Sequence, residues 1–70
     1  MKEFVSNTVY DMRVTKNLTQ EDLAFQIGVS RQTVIAIEKG KYTPSVLLAI
    51  KIARFFKVSV EHLFTIHHEK

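Results

Sequence analysis

The sequence predicts an all-α domain of five helices, to which the two terminal segments can add a small β-sheet. Apolar residues make up 46% of the 70 residues, which indicates a packed unit rather than disorder. Only two Gly and one Pro interrupt the chain, and Ser, Thr or Asn stands before most runs of apolar residues at helical spacing. We therefore expect helices near residues 7–16, 20–27, 31–39, 44–56 and 60–64.

The first helix is expected to follow an extended segment at residues 4–5, since Phe and Val favour strands. Ser6 or Asn7 can cap its start, and Val9 would turn inward. Asn17 can end it, because Asn is one of the few non-glycine residues that tolerate the left-handed conformation.

Residues 20–39 are interpreted as two short helices around a tight turn. Thr19 and Asp22 have the spacing of a capping box at the start of the second helix. Gly28 suits the left-handed position that closes this helix, and Ser30 can cap the third helix. Helices joined by so few residues must cross sharply.

The fourth helix is predicted to begin with Thr43 as its cap and Pro44 at its first helical position. It has more apolar surface than one core-facing stripe can bury. The residues expected to face inward are Val46, Ala49, Ile52, Ala53 and Phe56. Some of Leu48, Ile50 and Phe55 would then stay outside, which indicates a surface for a partner.

A short fifth helix is expected after Ser59, which can cap it. Gly40 is expected to end the third helix. The β-branched residues after Phe64 favour an extended tail.

Residues 20–39 resemble the helix-turn-helix motif of the Cro/repressor-type (XRE-like) family of DNA-binding regulators. The matching residues in the motif are Gln20, Ala24, Gly28, Val34 and Ile37. The likeness continues outside it and covers about fifty-five residues, from Val9 to Phe64. The resemblance implies a lambda-repressor-like fold and a short, free-standing regulator with one domain over residues 1–70. In short regulators of this kind, the tail can pair with the N-terminal segment in a small sheet.

The resemblance also implies roles for single residues. Arg13 and Glu38 stand where such families have a partly buried ion pair, so they are assigned to architecture. Lys57 stands where the family usually has Gly or Asn, which suggests a slightly strained or differently shaped turn. The residues at positions that typically contact DNA phosphates are Gln20, Lys39, Lys41, Tyr42 and Thr43.

The third helix separates by spacing into two faces, with Val34 and Ile37 toward the core. The opposite face has Arg31, Gln32, Thr33, Ile35, Ala36 and Lys39. Arg can bridge O6 and N7 of guanine, Gln can bridge N6 and N7 of adenine, and Ala or Thr can touch a thymine methyl. The alternative interpretation is that Arg31 and Gln32 are ordinary surface residues of the first helical turn. With the family resemblance, we assign base contacts to Arg31, Gln32, Thr33 and Ala36.

Positive charge is concentrated in the middle of the chain. Residues 29–58 contain six basic residues and one acidic residue, a net charge of +5, whereas the segments on either side each have −1. Such a cluster beside a recognition helix is typical of a polyanion binder. A solvated lysine face is the alternative for a chain without the motif.

Other chemistries find little support in the sequence. There is no cysteine and no glycine-rich phosphate loop, and the three histidines have no nucleophile context, so we expect no enzyme, cofactor or small-molecule ligand. A metal site is not expected, because His67 and His68 are adjacent and would point apart. The longest uncharged stretch has nine residues, far below the ~20 of a membrane span, so we expect no membrane partner and a cytoplasmic location.

Two functions remain open. The first is a sequence-specific regulator of double-stranded DNA, a repressor that binds a palindromic operator as a homodimer. Its interface is expected to include Leu48, Ile50, Phe55, Phe64 and Ile66. The second is an antitoxin-like or adaptor protein whose exposed apolar helix binds another protein.

Overall fold

The computed structural model describes residues 2–69. One strand precedes the five helices, and a second strand follows them. In chain order the elements are β1 (Lys2–Asn7), α1 (Val9–Thr15), α2 (Gln20–Ile27), α3 (Arg31–Glu38), α4 (Val46–Phe56), α5 (Val60–Leu63) and β2 (Phe64–Glu69). The lambda-repressor-like class and the terminal sheet predicted from the sequence are confirmed.

Helices α1 to α4 are all followed by a residue in the left-handed conformation. These residues are Asn17, Gly28, Gly40 and Lys57, with φ between 58° and 74°. After α3, for example, the N–H of Gly40 donates to the Ile37 carbonyl at 3.0 Å and the N–H of Lys41 donates to the Ala36 carbonyl at 2.9 Å. Each such turn satisfies carbonyls that the helix leaves free and reverses the chain within two residues. The predicted left-handed turns at Asn17 and Gly28 are confirmed.

The start of α2 is the capping box that the sequence predicts. The Thr19 hydroxyl accepts from the Asp22 N–H at 2.9 Å, and the Asp22 carboxylate accepts from the Thr19 N–H at 3.0 Å. Ser30 and Ser59 cap α3 and α5 as predicted.

The first helix starts two residues later than predicted, at Val9, because the chain through Asn7 belongs to β1. Thr8 is therefore the cap residue, although its side chain makes no capping hydrogen bond. The side-chain oxygen Oδ1 of Asn7 instead accepts from the Val9 N–H at 3.1 Å, so Asn7 still helps to start α1 from outside the helix.

The predicted start of α4 is also wrong. Ser45, rather than Thr43, is the cap, and its hydroxyl accepts from the Leu48 N–H at 3.1 Å. With this start, Leu48 lies in the core with 8% of its surface exposed, whereas Val46 is 77% exposed. The expectation that Val46 points inward and Leu48 stays outside is therefore wrong.

The core is formed where α2, α3 and α4 meet, with one residue each from α1 and α5. Leu23, Ile52 and Leu63 have no exposed surface. Ala24 is also buried, as expected for a small residue at the sharp crossing of α2 and α3. This core keeps the outer face of α3 free. None of the described helices has the length and apolar character needed to span a membrane.

The two strands pair antiparallel and join the ends of the described chain. Phe4 is opposite His67, and Val5 is opposite Ile66. The Phe4 and His67 rings stack with their centroids 5.1 Å apart, and Ser6 Oγ lies 2.6 Å from His67 Nε2. Opposite residues share a face of an antiparallel pair, so Val5, Ile66 and Phe64 lie on the other side of this small sheet.

Candidate nucleic-acid interface

Helix α3 buries one side and presents the other. Val34 and Ile37 are buried in the core, while Arg31 and Gln32 are exposed at the N-terminal end of the helix. Three further side chains on the outer surface are half-buried: Thr33, Ile35 and Ala36. Of the four residues predicted to contact bases, the structure therefore exposes Arg31 and Gln32 and leaves Thr33 and Ala36 half-buried.

The hydroxyl of Thr33 is already engaged within the helix start. Its Oγ1 lies 3.1 Å from Ser30 Oγ, and the Ser30 hydroxyl accepts from the Thr33 N–H at 3.3 Å. Hydrogen bonding at the surface of the first turn is thus left mainly to the guanidinium of Arg31 and the amide of Gln32.

The far end of α3 is held by a buried ion pair. Arg13 Nε lies 2.6 Å from Glu38 Oε2, and Arg13 Nη2 donates to Oε1 at 3.2 Å. A third guanidinium donor, Nη1, is 2.7 Å from the Leu18 carbonyl oxygen, and the guanidinium carbon lies 5.2 Å from the centre of the Tyr10 ring. The hydrogen bond to Glu38 is the main cause that raises the pKa of Arg13 above its ordinary value. This forked geometry fixes α3 relative to α1.

Gln20 joins this ion pair. Its Nε2 donates to Glu38 Oε1 at 3.1 Å, which uses one of the two amide hydrogens. The side chain is half-buried and lines a surface groove that also includes Thr19, Glu21 and Arg31. Gln20 and Arg31 are therefore brought to one groove, where the second amide hydrogen of Gln20 can serve another acceptor.

The segment after α3 forms the other end of the surface. The left-handed turn at Gly40 leaves the side chains of Lys39, Lys41, Tyr42 and Thr43 exposed. Because the N–H groups of Gly40 and Lys41 donate to helix carbonyls, contacts to DNA phosphates from these two residues cannot use those N–H groups. The donors that this segment offers are the side chains of Lys39, Lys41, Tyr42 and Thr43.

Lys51, one basic residue of the central cluster, lies at the end of α2 rather than beside α3. Lys51 Nζ lies 3.7 Å from the place that a Cβ on Gly28 would occupy, so it covers the C-terminal end of α2. A cation at this end favours the helix dipole. The charge pattern of the sequence did not separate Lys51 from the basic residues near α3.

Asn7 has a role that the sequence did not reveal beyond helix capping. Its Nδ2 donates to the Ile37 carbonyl oxygen at 2.9 Å, while its Oδ1 accepts from the Val9 N–H. One side chain thus connects the end of β1, the start of α1 and the last turn of α3. The only signal in the sequence is an Asn before a helix, which by itself indicates a cap.

Comparison with known proteins places this surface in a family. A model of helix-turn-helix proteins matches residues 9–63. The uncharacterized HTH-type transcriptional regulator MJ0272 of Methanocaldococcus jannaschii is 60% identical over 60 residues, which are 86% of this chain and 91% of that protein. The cryptic phage CTXphi transcriptional repressor RstR of Vibrio cholerae is 38% identical over 58 residues, 83% of this chain and 52% of RstR.

Among solved structures, the restriction-modification controller protein C.AhdI from Aeromonas hydrophila is similar with a TM-score of 0.71. It is 30% identical in sequence, and the likeness covers 77% of this chain and 82% of that one. The residues matched by the helix-turn-helix model include both helices at 20–39, the Arg13–Glu38 pair and the turn after α3. The chain therefore belongs to the Cro/repressor-type (XRE-like) helix-turn-helix family.

Proposed function

We propose that this protein is a sequence-specific, double-stranded-DNA-binding transcriptional regulator that acts as a repressor. The observation that carries the proposal is the outer face of α3, where Arg31 and Gln32 are exposed on a helix whose far end is fixed by the Arg13–Glu38 pair. Helix-turn-helix proteins place such a helix in the major groove with its N-terminal residues at the base edges. In the proposed complex, the base contacts come from Arg31, Gln32, Thr33 and Ala36.

The residues on either side of α3 are proposed to hold the DNA backbone. Gln20 lies at the N-terminal side, and the exposed segment after α3 lies at the other. The proposed phosphate contacts are Gln20, Lys39, Lys41, Tyr42 and Thr43. Contacts at both ends would set the orientation of α3 in the groove without selecting the sequence.

Repression is the regulatory direction that we propose. The similarity to RstR, which is named a transcriptional repressor, supports it. A protein bound across a promoter can act by excluding other proteins from that DNA. A reporter gene behind the selected DNA site would measure the direction, since added protein should lower expression.

We further propose that the protein binds a palindromic operator as a homodimer. One short helix reads only a few base pairs, whereas two copies related by a two-fold axis read half-sites ~34 Å apart. The apolar residues exposed on α4 and β2 support such an interface, since Leu47 is 70% and Ile66 is 64% exposed.

The proposed interface differs in part from the one expected from the sequence. Leu48 belongs to the core, and Phe55 is half-buried with its ring 5.1 Å from that of Phe56, edge to face. Ile50, Phe64 and Ile66 remain in the proposal, now together with Val46 and Leu47. Phe64 is half-buried as well, but unlike Phe55 it lines the groove beside α4. An apolar groove runs beside them, lined by Val5, Thr43, Pro44, Val46, Ala49, Ile50, Val60 and Phe64. Val46 lines this groove and is 77% exposed, and the exposed Leu47 follows it in the chain, which suits a self-complementary, two-fold contact.

The test is selection of duplexes from random DNA, followed by gel shifts with single variants. We expect the protein to enrich one palindromic sequence, and Arg31→Ala and Gln32→Ala to lose preference for it. Arg54→Ala is the matched control, because Arg54 is an exposed basic residue on α4. Enrichment of no sequence would contradict the proposal.

The second candidate is an antitoxin-like or adaptor protein that binds another protein. The apolar groove beside α4 is the observation that favours it. This function would be indicated if the protein selected no DNA sequence and stayed monomeric, yet bound a protein partner through this groove. Loss of that binding in Ile50→Glu would locate the contact.

A further inference from the structure

We propose that Ile35 reads a thymine methyl group in the major groove, beside the base contact already proposed for Ala36. The operator half-site would then contain a thymine close to the base pair that Gln32 reads. The inference rests on the proposed DNA binding and adds the chemical feature of the DNA that this part of α3 selects.

Packing against the core does not account for the burial of Ile35. Its side chain is half-buried, yet it lies outside the core cluster and outside the half-buried apolar side chains that pack against that core. Successive helix residues are about 100° apart, so Ile35 points well away from its buried neighbour Val34. A branched apolar side chain on this face is not explained by packing in the core.

The position of Ile35 along α3 places it beside Arg31 and Gln32. Ile35 follows Arg31 by four residues and Gln32 by three, and Ala36 follows Gln32 by four, so these side chains are surface neighbours. One helical turn advances about 5.4 Å and one base pair about 3.4 Å. The two apolar side chains therefore reach about one or two base pairs beyond the pair that Gln32 contacts.

The outer face of α3 beyond Gln32 has apolar side chains at Ile35 and Ala36. Ile35 and Ala36 have no hydrogen-bonding group, and the hydroxyl of Thr33 lies against Ser30 Oγ. The second turn of the reading face thus offers only apolar surface. Thymine alone presents a methyl group at the major-groove edge of a base pair, so it is the base that this surface suits.

The experiment replaces thymine by deoxyuridine, which removes only the 5-methyl group, at each thymine of the selected duplex in turn. We expect wild-type protein to bind about fourfold more weakly for each methyl that Ile35 or Ala36 contacts, the effect of exposing one buried methyl group. Ile35→Ala should bind the thymine and deoxyuridine duplexes equally at one of these positions. Ile35→Val, which keeps a branched side chain, should retain most of the difference.

Val14→Ala is the matched control, since Val14 is an exposed aliphatic residue on α1. It should show the wild-type response at every thymine. Thermal unfolding of each variant shows whether it is still folded. A folded variant that keeps its preference for the remaining bases has lost only the reading of the methyl group.

Three outcomes would overturn the inference. If wild-type protein prefers one sequence but responds to no deoxyuridine, methyl reading is wrong and DNA reading stands. If Ile35→Ala keeps the whole response, the assignment to Ile35 is wrong. If the protein selects no sequence at all, the proposed function fails together with this inference.

Discussion

Arg13 and Glu38 are 25 residues apart in the chain, and their side chains meet in a forked ion pair with Nε and Oε2 2.6 Å apart. Glu38 is the last residue of α3, and Arg13 is buried on α1. The pair therefore fixes the angle at which α3 is presented. Gln20 and the Leu18 carbonyl complete its hydrogen bonds, so both charges are satisfied inside the fold.

Removing one member of this pair should destabilise the domain strongly. Arg13→Met leaves the Glu38 carboxylate buried without its main partner, which costs about 3–5 kcal/mol. The double variant Arg13→Met with Glu38→Leu should recover much of that loss, because neither side chain is then charged. Urea unfolding measures the free energies, and Arg54→Met is the exposed control. Equal losses in the single and double variants would show that the uncompensated charge is not the cause.

Removing the strain of a left-handed side chain at Lys57 should stabilise the domain. Lys57 has φ 60° and ψ 41°, where a side chain costs roughly 1 kcal/mol that glycine does not pay. We expect Lys57→Gly to raise the melting temperature by a few degrees, since 1 kcal/mol corresponds to about 4–8 °C in so small a domain. Lys57→Ala removes the same charge and keeps the Cβ, so it should show no such gain. A gain of equal size in both variants would point to charge rather than to the backbone.

The capping box at α2 should make stability depend on pH in the acid range. The hydrogen bonds from Thr19 lower the pKa of Asp22 from its ordinary value. A group with a lowered pKa in the folded state stabilises it at pH values above the unfolded pKa, ~3.9 for Asp, and loses that contribution as the pH falls through the folded pKa. Asp22→Asn should therefore be less stable than wild type near pH 6, with the difference shrinking toward pH 2.

Unfolding by denaturant at several pH values measures this effect. Glu21→Gln is the control, because Glu21 is the exposed neighbour in the same first turn. A constant difference between wild type and Asp22→Asn across the acid range would mean that the Asp22 charge does not contribute through this linkage.

The salt dependence and sequence preference of DNA binding should distinguish residues that read bases from residues that bind phosphates. Arg31→Ala should lose about 1–3 kcal/mol on the selected site and relax the preference for one base pair. Lys41→Ala should weaken all sequences alike and lower the slope of log K against log salt by about one. Titrations on selected and random duplexes at several salt concentrations would measure both. Equal weakening of the two duplexes by Arg31→Ala would make its assignment to base reading wrong.

Self-association should depend on the apolar surface of α4 and β2. We expect sedimentation at micromolar concentration to show a dimer, and Leu47→Glu or Ile66→Glu to shift it to monomer, since each puts a charge into the proposed contact. Phe25→Glu is the matched control, because Phe25 is 83% exposed on α2, a helix that contributes no residue to the proposed contact. A monomer that binds palindromic DNA without cooperativity would contradict the proposed dimer.

Local signals predicted much of the fold correctly because they act within one helical turn. The capping box of Thr19 and Asp22 spans three residues, and the turn at Gly28 needs only the absence of a Cβ. The strain expected at Lys57 from the family resemblance likewise appears as a left-handed residue. The two faces of α3 followed from spacing alone, so its buried and outer residues could be assigned before the structure was known.

Where two local signals competed, only packing decided. Thr43 and Ser45 both suit a helix cap, and the choice of Ser45 places Leu48 rather than Val46 in the core. Propensity cannot separate two caps two residues apart, because their difference in free energy is small compared with burying a leucine.

The sequence by itself determined that five helices form, the turns between them and the residue types on the reading face, because these depend on neighbours a few positions apart. The starts of α1 and α4 were decided by the tertiary structure. The tertiary structure decided the contacts between distant segments. Asn7 bonds to Ile37 across 30 residues, and Ser6 lies beside His67 across 61 residues. It also placed Lys51 over the end of α2 and left Val46 exposed at the apolar groove. Such contacts arise when the helices pack together, and no short stretch of sequence contains both partners.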